Sequence, residues 1–112
     1  MSYDRAPDLD ELVACCRRVA NAMGQREPDP ARAAAFFSEI LFDEGGRELW
    51  GCLKEGLITE AEIRDATMAR VATWLSDANG VPEPGADTWA SPEIERSFEL
   101  ALFGRAAEPA GG

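Results

Sequence analysis

The stretch Gly56-Leu57-Ile58-Thr59-Glu60-Ala61-Glu62-Ile63 predicts the end of one helix and the start of the next within a single short segment. Gly56 can adopt the left-handed conformation that ends a helix, and Leu57 can then fold back onto that helix's last turn. Thr59 has the position of an N-cap, and Glu62 follows at the spacing of a capping box. A stop and a start this close together are typical of helical bundles, so we interpret the chain as helices arranged around the long segment that begins here.

Similar start and stop signals divide the remaining sequence. Apolar residues recur at steps of three and four between these signals, and no strand-like alternation appears. The sequence therefore predicts an all-α fold, a compact single-domain bundle of about five helices. The predicted helices span roughly residues 8–24, 30–44, 47–55, 60–79 and 92–103.

Three segments are predicted to lie outside these helices or to end them. Gly45 and Gly46 are expected to stop the second helix, because glycine is a poor helix former. Two prolines and a glycine between residues 81 and 90 predict an irregular loop. Residues 105–112 are small, polar and proline-containing, which predicts a disordered tail that follows a domain of residues 1–104.

Composition and charge bound the class of protein. The chain has 112 residues, a formal net charge of −10 and no histidine. No apolar run approaches the ~18–20 residues that span a bilayer, and the first residues lack a basic patch followed by an apolar core. These features predict a cytoplasmic protein that does not bind membranes or, directly, nucleic acid, because both are polyanions.

Three cysteines, Cys15, Cys16 and Cys52, cannot all pair within one chain. The adjacent pair fits neither a structural disulfide nor a zinc site. Buried, reduced thiols are the simpler interpretation, because free cysteine behaves as a small apolar residue. A redox or metal role is the alternative.

The residues needed for common catalytic sites are missing. Without histidine, Ser–His and Cys–His pairs are excluded, and so is the histidine-containing di-iron bundle site. Three pairs of carboxylates lie four residues apart and are more simply interpreted as solvated charges: Glu39 with Asp43, Glu44 with Glu48, and Glu95 with Glu99. We therefore predict no catalytic residues, no metal site and no cofactor, and a protein that is not an enzyme.

Two tryptophans are candidates for partner binding. Trp89 lies at the end of the proline-rich loop, and Trp50 lies one step away from the inward line of its helix. Trp89 can fold back over the last helix as a plug, or it can serve as an interface anchor, since tryptophan is enriched at binding hot spots. We therefore predict both tryptophans as candidate contacts with a partner.

The acidic residues around the third-to-fourth turn are the other candidate contacts: Glu55, Glu60, Glu62 and Asp65. A second acidic group begins the first helix. Carboxylates are also favoured at helix starts by the helix dipole, so local stabilisation and solubility are the simpler explanation. The functional interpretation is attraction to a basic protein surface, including mimicry of nucleic-acid phosphates.

We therefore expect a non-enzymatic interaction protein: an inhibitor, an immunity protein or a regulatory adaptor, types that include phage-encoded proteins. A small structural subunit or a homodimer is the alternative, because Phe36, Phe37 and Phe42 give the second helix a wide apolar face and Trp50 lies nearby. A helical enzyme that uses only carboxylates is a third hypothesis.

Overall fold

Six α-helices and one π-helical turn make up most of residues 8–42 and 44–104, the part of the chain that the computed structural model describes. The helices are α1 (Leu9–Ala22), α2 (Pro30–Phe37), α3 (Glu44–Lys54), α4 (Glu60–Asn79), α5 (Ala86–Trp89) and α6 (Pro92–Phe103), and the π-helical turn is Ser38–Phe42. These residues contain no β-strand, so the predicted all-α class is confirmed. No helix within them is long and apolar enough to cross a membrane. The predicted tail, residues 105–112, lies outside the described residues.

The predicted helix starts are formed by side-chain caps. Asp8, Asp29, Thr59 and Ser91 each accept a hydrogen bond from the backbone N–H three residues further on, at 3.1–3.2 Å. Such a bond satisfies one of the N–H groups that a helix start leaves without a partner. Local sequence therefore sets where these four helices begin.

Helix α6 runs antiparallel to α1. The backbone N–H of Asp8 donates to the carbonyl of Ala101 at 2.9 Å, and the thiol of Cys15 lies 3.5 Å from the hydroxyl of Ser97. Residue numbers along α6 thus decrease as those along α1 increase. The start of α1 is consequently fixed beside the end of α6.

Helix α4 runs in the same direction as α1. The side chain of Gln25, just beyond α1, donates to Ser76 and accepts from Asn79, both at 3.1 Å, near the end of α4. At the other end, Arg64 on α4 reaches Glu99 on α6. The N-terminal ends of α1 and α4 therefore lie at the same end of the molecule.

The core forms where α1, α2, α4 and α6 meet. Its largest fully buried apolar side chains are Leu12, Cys15, Cys16, Val19, Phe37, Ile63, Val71, Leu75 and Phe98. The two buried polar side chains of α4 are compensated, since the hydroxyl of Thr67 donates to the carbonyl of Ile63 at 2.8 Å and Ser76 bonds Gln25. Burial of hydrogen-bonded polar groups adds little penalty to this packing.

The predicted stop at Gly45 and Gly46 is wrong. Instead, α2 continues into the π-helical turn Ser38–Phe42, and both glycines lie inside α3. The reason is steric: a Cβ at position 46 would collide with the backbone of Leu41. Glycine here allows close approach of two backbone segments instead of ending a helix.

The loop predicted for residues 81–90 contains one helical turn, α5. This turn begins at Ala86, directly after Gly85, and both prolines of the segment precede it. The prolines therefore exclude a helix only from the first half of the segment. Glu83 in that half accepts a hydrogen bond from the hydroxyl of Thr73 on α4, which ties the loop to the bundle.

Substituting the two glycines of α3 should change stability in opposite directions. Gly46→Ala should lower the free energy of unfolding by about 1–3 kcal/mol, because the added methyl group meets backbone that cannot move aside. Gly51→Ala should raise it by up to about 1 kcal/mol, because Gly51 is exposed, helical and has open space around it. Urea unfolding followed by circular dichroism measures the free energy of unfolding of both variants. The same change in the two variants would contradict the steric argument.

Candidate interaction surface

The turn between α3 and α4 has the backbone geometry predicted for it. Gly56 has a φ of +77°, and its N–H donates to the carbonyl of Leu53 at 3.1 Å. The N–H of Leu57 donates to the carbonyl of Cys52 at 2.9 Å. Together these bonds form a Schellman motif. The capping box that begins α4 is also present, with both bonds between Thr59 and Glu62 formed.

The side chain of Leu57 departs from the expectation. It is 68% exposed instead of folded back on the end of α3, because the two backbone bonds complete the turn without a side-chain contact. Leu57 is flanked in sequence by the exposed carboxylates of Glu55 and Glu62. An apolar side chain thus projects into solvent within an acidic turn.

The tertiary fold brings the two acidic groups to one end of the molecule. Ala101 of α6 bonds the start of α1, and Glu99, two residues earlier, bonds Arg64 in the second turn of α4. Both acidic helix starts therefore flank the same turn of α6. We call this region the acidic end, and it comprises Asp8, Asp10, Glu11, Glu55, Glu60, Glu62 and Asp65.

Arg64 is the basic residue most closely integrated with the acidic end. Its guanidinium lies 2.9 Å from Asp65 and 3.5 Å from Glu99, and its side chain is 18% exposed. Burial lowers its pKa, but the hydrogen bond to Asp65 and the nearby carboxylates of Glu95 and Glu99 raise it by more. Arg64 therefore stays charged and joins α4 to α6, while the carboxylate of Asp65 remains largely exposed.

Trp89 lies in the core with 5% of its surface exposed, which matches the plug interpretation. Its indole Nε1–H is buried and has no hydrogen-bond acceptor among the described residues. A buried donor without an acceptor costs about 1–3 kcal/mol. In this conformation the indole offers a partner little contact area.

Trp50 is half-buried and packs edge-on against Phe103 of α6, with ring centroids 5.7 Å apart. Its remaining exposed surface is available to a partner. The structure places Trp50 on α3 and Trp89 on α5, so these two candidates do not share an element with each other or with the acidic residues of α4.

Most of the wide aromatic face of α2 packs against other parts of the protein. Phe37 is fully buried, and Phe36 stacks on Trp74 of α4 with ring centroids 4.7 Å apart. The side chain of Phe42 lies outside the described part of the structure. For the homodimer hypothesis this leaves the half-buried face formed by Phe36, Trp74 and Ile40.

The three cysteines form no disulfide with one another and differ in exposure. Cys15 and Cys16 are fully buried, whereas Cys52 is half-buried. Burial raises the pKa of the Cys15 thiol, and burial together with the neighbouring Cys15 raises the pKa of Cys16 to about 12. Buried neutral thiols of this kind are poor nucleophiles.

Among the carboxylate pairs, Glu95 with Glu99 lies wholly within the described residues. Glu99 is occupied by Arg64, so this pair does not form an isolated acid–base site. In that same part of the chain, no three potential metal-ligating side chains cluster together. Comparison with protein-family models, curated proteins and solved structures finds no match for the chain.

A groove between α1 and α6 is a feature that the sequence did not reveal. It has a volume of about 800 Å³, and residues of α5 contribute to its lining. We call it the α1–α6 groove, and its principal lining residues are Arg18, Asn21, Trp89, Glu93, Arg96 and Leu100. Only the antiparallel packing brings these positions together, because Arg18 and Arg96 are far apart in sequence.

Truncation of Trp89 should destabilise the fold. Trp89→Ala should lower the free energy of unfolding by about 3–5 kcal/mol, as expected for loss of a buried indole. Trp89→Phe should have a much smaller effect, because it keeps an aromatic ring and removes the unpaired N–H. Thermal unfolding measures both, and an unchanged melting temperature for Trp89→Ala would contradict the plug role.

The buried thiols should make stability depend on alkaline pH. Each folded-state pKa lies above the ordinary value of about 8.5, so the stabilisation is complete below that pH and is lost as pH rises toward the folded pKa. Between about pH 9 and 11, the wild type should lose up to about 1.4 kcal/mol per pH unit more than Cys16→Ala.

Urea midpoints at successive pH values measure this difference. The matched control is Val19→Ala, which truncates a fully buried side chain of the same helix that has no titratable group, so it should keep the slope of the wild type. If Cys16→Ala had the slope of the wild type, ionisation of the Cys16 thiol would not contribute to alkaline destabilisation.

Proposed function

We propose that this chain is a non-enzymatic interaction protein that binds a basic surface of a protein partner through its acidic end. The observation that carries the proposal is the convergence of two acidic helix starts on one turn of α6. Helix dipoles explain carboxylates at each helix start separately. They do not require the two starts to lie side by side.

The electrostatics of the acidic end support attraction of a cationic partner. Arg64 is mostly buried and bonded to Asp65 and Glu99, so little of its charge faces solvent. Clustered surface carboxylates attract basic proteins over distances comparable to the Debye length, about 8 Å at physiological ionic strength. Charge of this kind accelerates association and selects partners more than it adds affinity.

Leu57 supplies an apolar contact within the acidic end. Its side chain is 68% exposed on a turn that is held rigidly by the Schellman motif and the capping box. Little conformational entropy is lost when a rigid turn docks on a partner. We therefore expect a partner surface with lysine or arginine side chains around a shallow apolar depression.

An inhibitor, an immunity protein or a regulatory adaptor would each use such a surface. Mimicry of nucleic-acid phosphates is one specific form of this function. In that form, the partner's own nucleic acid would compete with the protein for binding. The test below applies to all of these forms.

Neutralising the acidic end should abolish partner capture. The variant Glu55→Gln, Glu60→Gln, Glu62→Gln, Asp65→Asn removes charge from α4 and the preceding turn, and glutamine at position 62 can still complete the capping box. In pull-downs from a lysate of the cells that make the protein, the partner bound by the wild type at low salt should be depleted at least about tenfold.

A matched variant separates local charge from net charge. Glu39→Gln, Glu48→Gln, Asp77→Asn, Asp87→Asn removes the same number of exposed carboxylates from other parts of the surface. It should retain the partner, and raising the salt concentration should release the partner from both the wild type and this control. Equal loss in the two variants, or capture that is insensitive to salt, would contradict the proposed surface.

A further inference from the structure

The α1–α6 groove combines features that are typical of a small-molecule site. Its volume of about 800 Å³ lies within the range of ligand pockets, about 300–1,000 Å³. The turn of α5 forms one wall through Thr88 and Trp89, and α1 and α6 form the sides. A groove of this volume accommodates a ligand of small-molecule size.

The groove is cationic within an otherwise acidic protein. Arg18 of α1 and Arg96 of α6 both line it and are exposed. No carboxylate of the described residues lies within ion-pair distance of either guanidinium. Glu93 is the one acidic residue among the lining positions, so the two arginines outnumber it.

The N-terminus of α6 adds to this positive potential. Ser91, which caps α6, and Glu93 in its first turn both line the groove. The start of a helix carries a partial positive charge that favours bound anions. This contribution acts at the same end of the groove as α5.

Trp89 provides an independent indication of a ligand. Trp89 is one of the residues that line the groove, and its buried Nε1–H lacks an acceptor in the described structure. The element that carries it, α5, is a single turn without a side-chain cap. A small adjustment of this turn would let an oxygen of a bound ligand accept the unpaired hydrogen bond, which removes the penalty of leaving it unmade.

The groove also offers an apolar surface beside its charges. Leu100 is 46% exposed and lines the groove together with Ile94 and Ala22. Contact of these side chains with an alkyl chain would remove apolar surface from water. The wall thus offers both guanidinium groups and aliphatic side chains, a combination that matches a ligand with an anionic head and an apolar body.

We propose that the α1–α6 groove binds a small amphipathic carboxylate. The carboxylate is held by the guanidinium groups of Arg18 and Arg96, and its alkyl chain lies against Leu100. The two arginines of the groove lie in the C-terminal half of α1 and the first half of α6, and none of the residues of the acidic end lines it. The inference therefore stands or falls independently of the proposed protein partner.

Titration of the 15N-labelled protein with decanoate tests the proposal by NMR. Decanoate, kept below its micelle concentration, should shift the indole N–H resonance of Trp89, which is assigned by its absence in Trp89→Phe. Decanol and decyltrimethylammonium, which have the same chain without the negative charge, should leave that resonance in place.

Variants of the wall should change the affinity in opposite directions. Arg18→Gln combined with Arg96→Gln should weaken decanoate binding about tenfold, because both charge-assisted bonds are lost. Glu93→Gln should strengthen binding, because it removes the one carboxylate of the wall. Arg17→Gln is the matched control, since Arg17 is exposed on the same helix and paired with Glu27 at 3.2 Å outside the groove, and it should change affinity by less than about twofold.

Several results would overturn the proposal. These are a Trp89 resonance that decanoate does not move, equal binding of the three decyl probes, and undiminished binding by the double arginine variant. Shifts confined to the face of Phe36 and Trp74 would place the apolar probe on a different surface and would also overturn it. Circular dichroism of each variant establishes that the arginine substitutions, which are at exposed positions, leave the fold intact.

Discussion

The antiparallel packing of α6 against both α1 and α4 is the constraint on which the rest of the structure depends. The backbone bond from Asp8 to Ala101 fixes one side of α6, and the contact from Arg64 to Glu99 fixes the other. Since both neighbours run opposite to α6, they run parallel to each other. Their starts must then lie at one end of the molecule and their C-terminal ends at the other.

This directionality separates two surfaces of different charge. The end where α1 and α4 begin carries the exposed carboxylates and Leu57. Farther along α1, the groove beside the start of α6 presents Arg18 and Arg96. The same three-helix arrangement thus produces an acidic surface and a groove that is lined by two arginines. The net charge of −10 is a sum over the whole chain, so it does not reveal that the two surfaces differ in charge.

Residues with similar local sequence patterns differ in how far the fold buries them. The sequence makes both Trp89 and Trp50 candidate contacts with a partner, yet Trp89 is buried and Trp50 retains an exposed part. Conversely, Leu57 was expected to cover the end of α3 and is instead exposed. Which side chain is covered depends on neighbours from distant parts of the chain, and a local pattern contains no information about those neighbours.

Glycine illustrates the same limit at the level of helix boundaries. Gly56 ends a helix as predicted, because its positive φ is a local property of the turn. Gly46 does not end a helix, because its role is to let α3 approach the backbone of Leu41 after a π-helical turn. The sequence shows that a glycine is able to end a helix. It does not show which glycine instead permits two backbone segments to pack closely.

The sequence by itself determined the all-α class, the capped starts of α1, α2, α4 and α6, and the acidic character of the turn before α4. These properties follow from hydrogen bonds and side-chain periodicity within a few residues. Only the tertiary structure decided that the two acidic helix starts converge, that Trp89 is enclosed, and that Arg18 and Arg96 line one groove. Each of those outcomes requires helices far apart in sequence to choose a mutual direction, and that choice is made by the packing of the whole core.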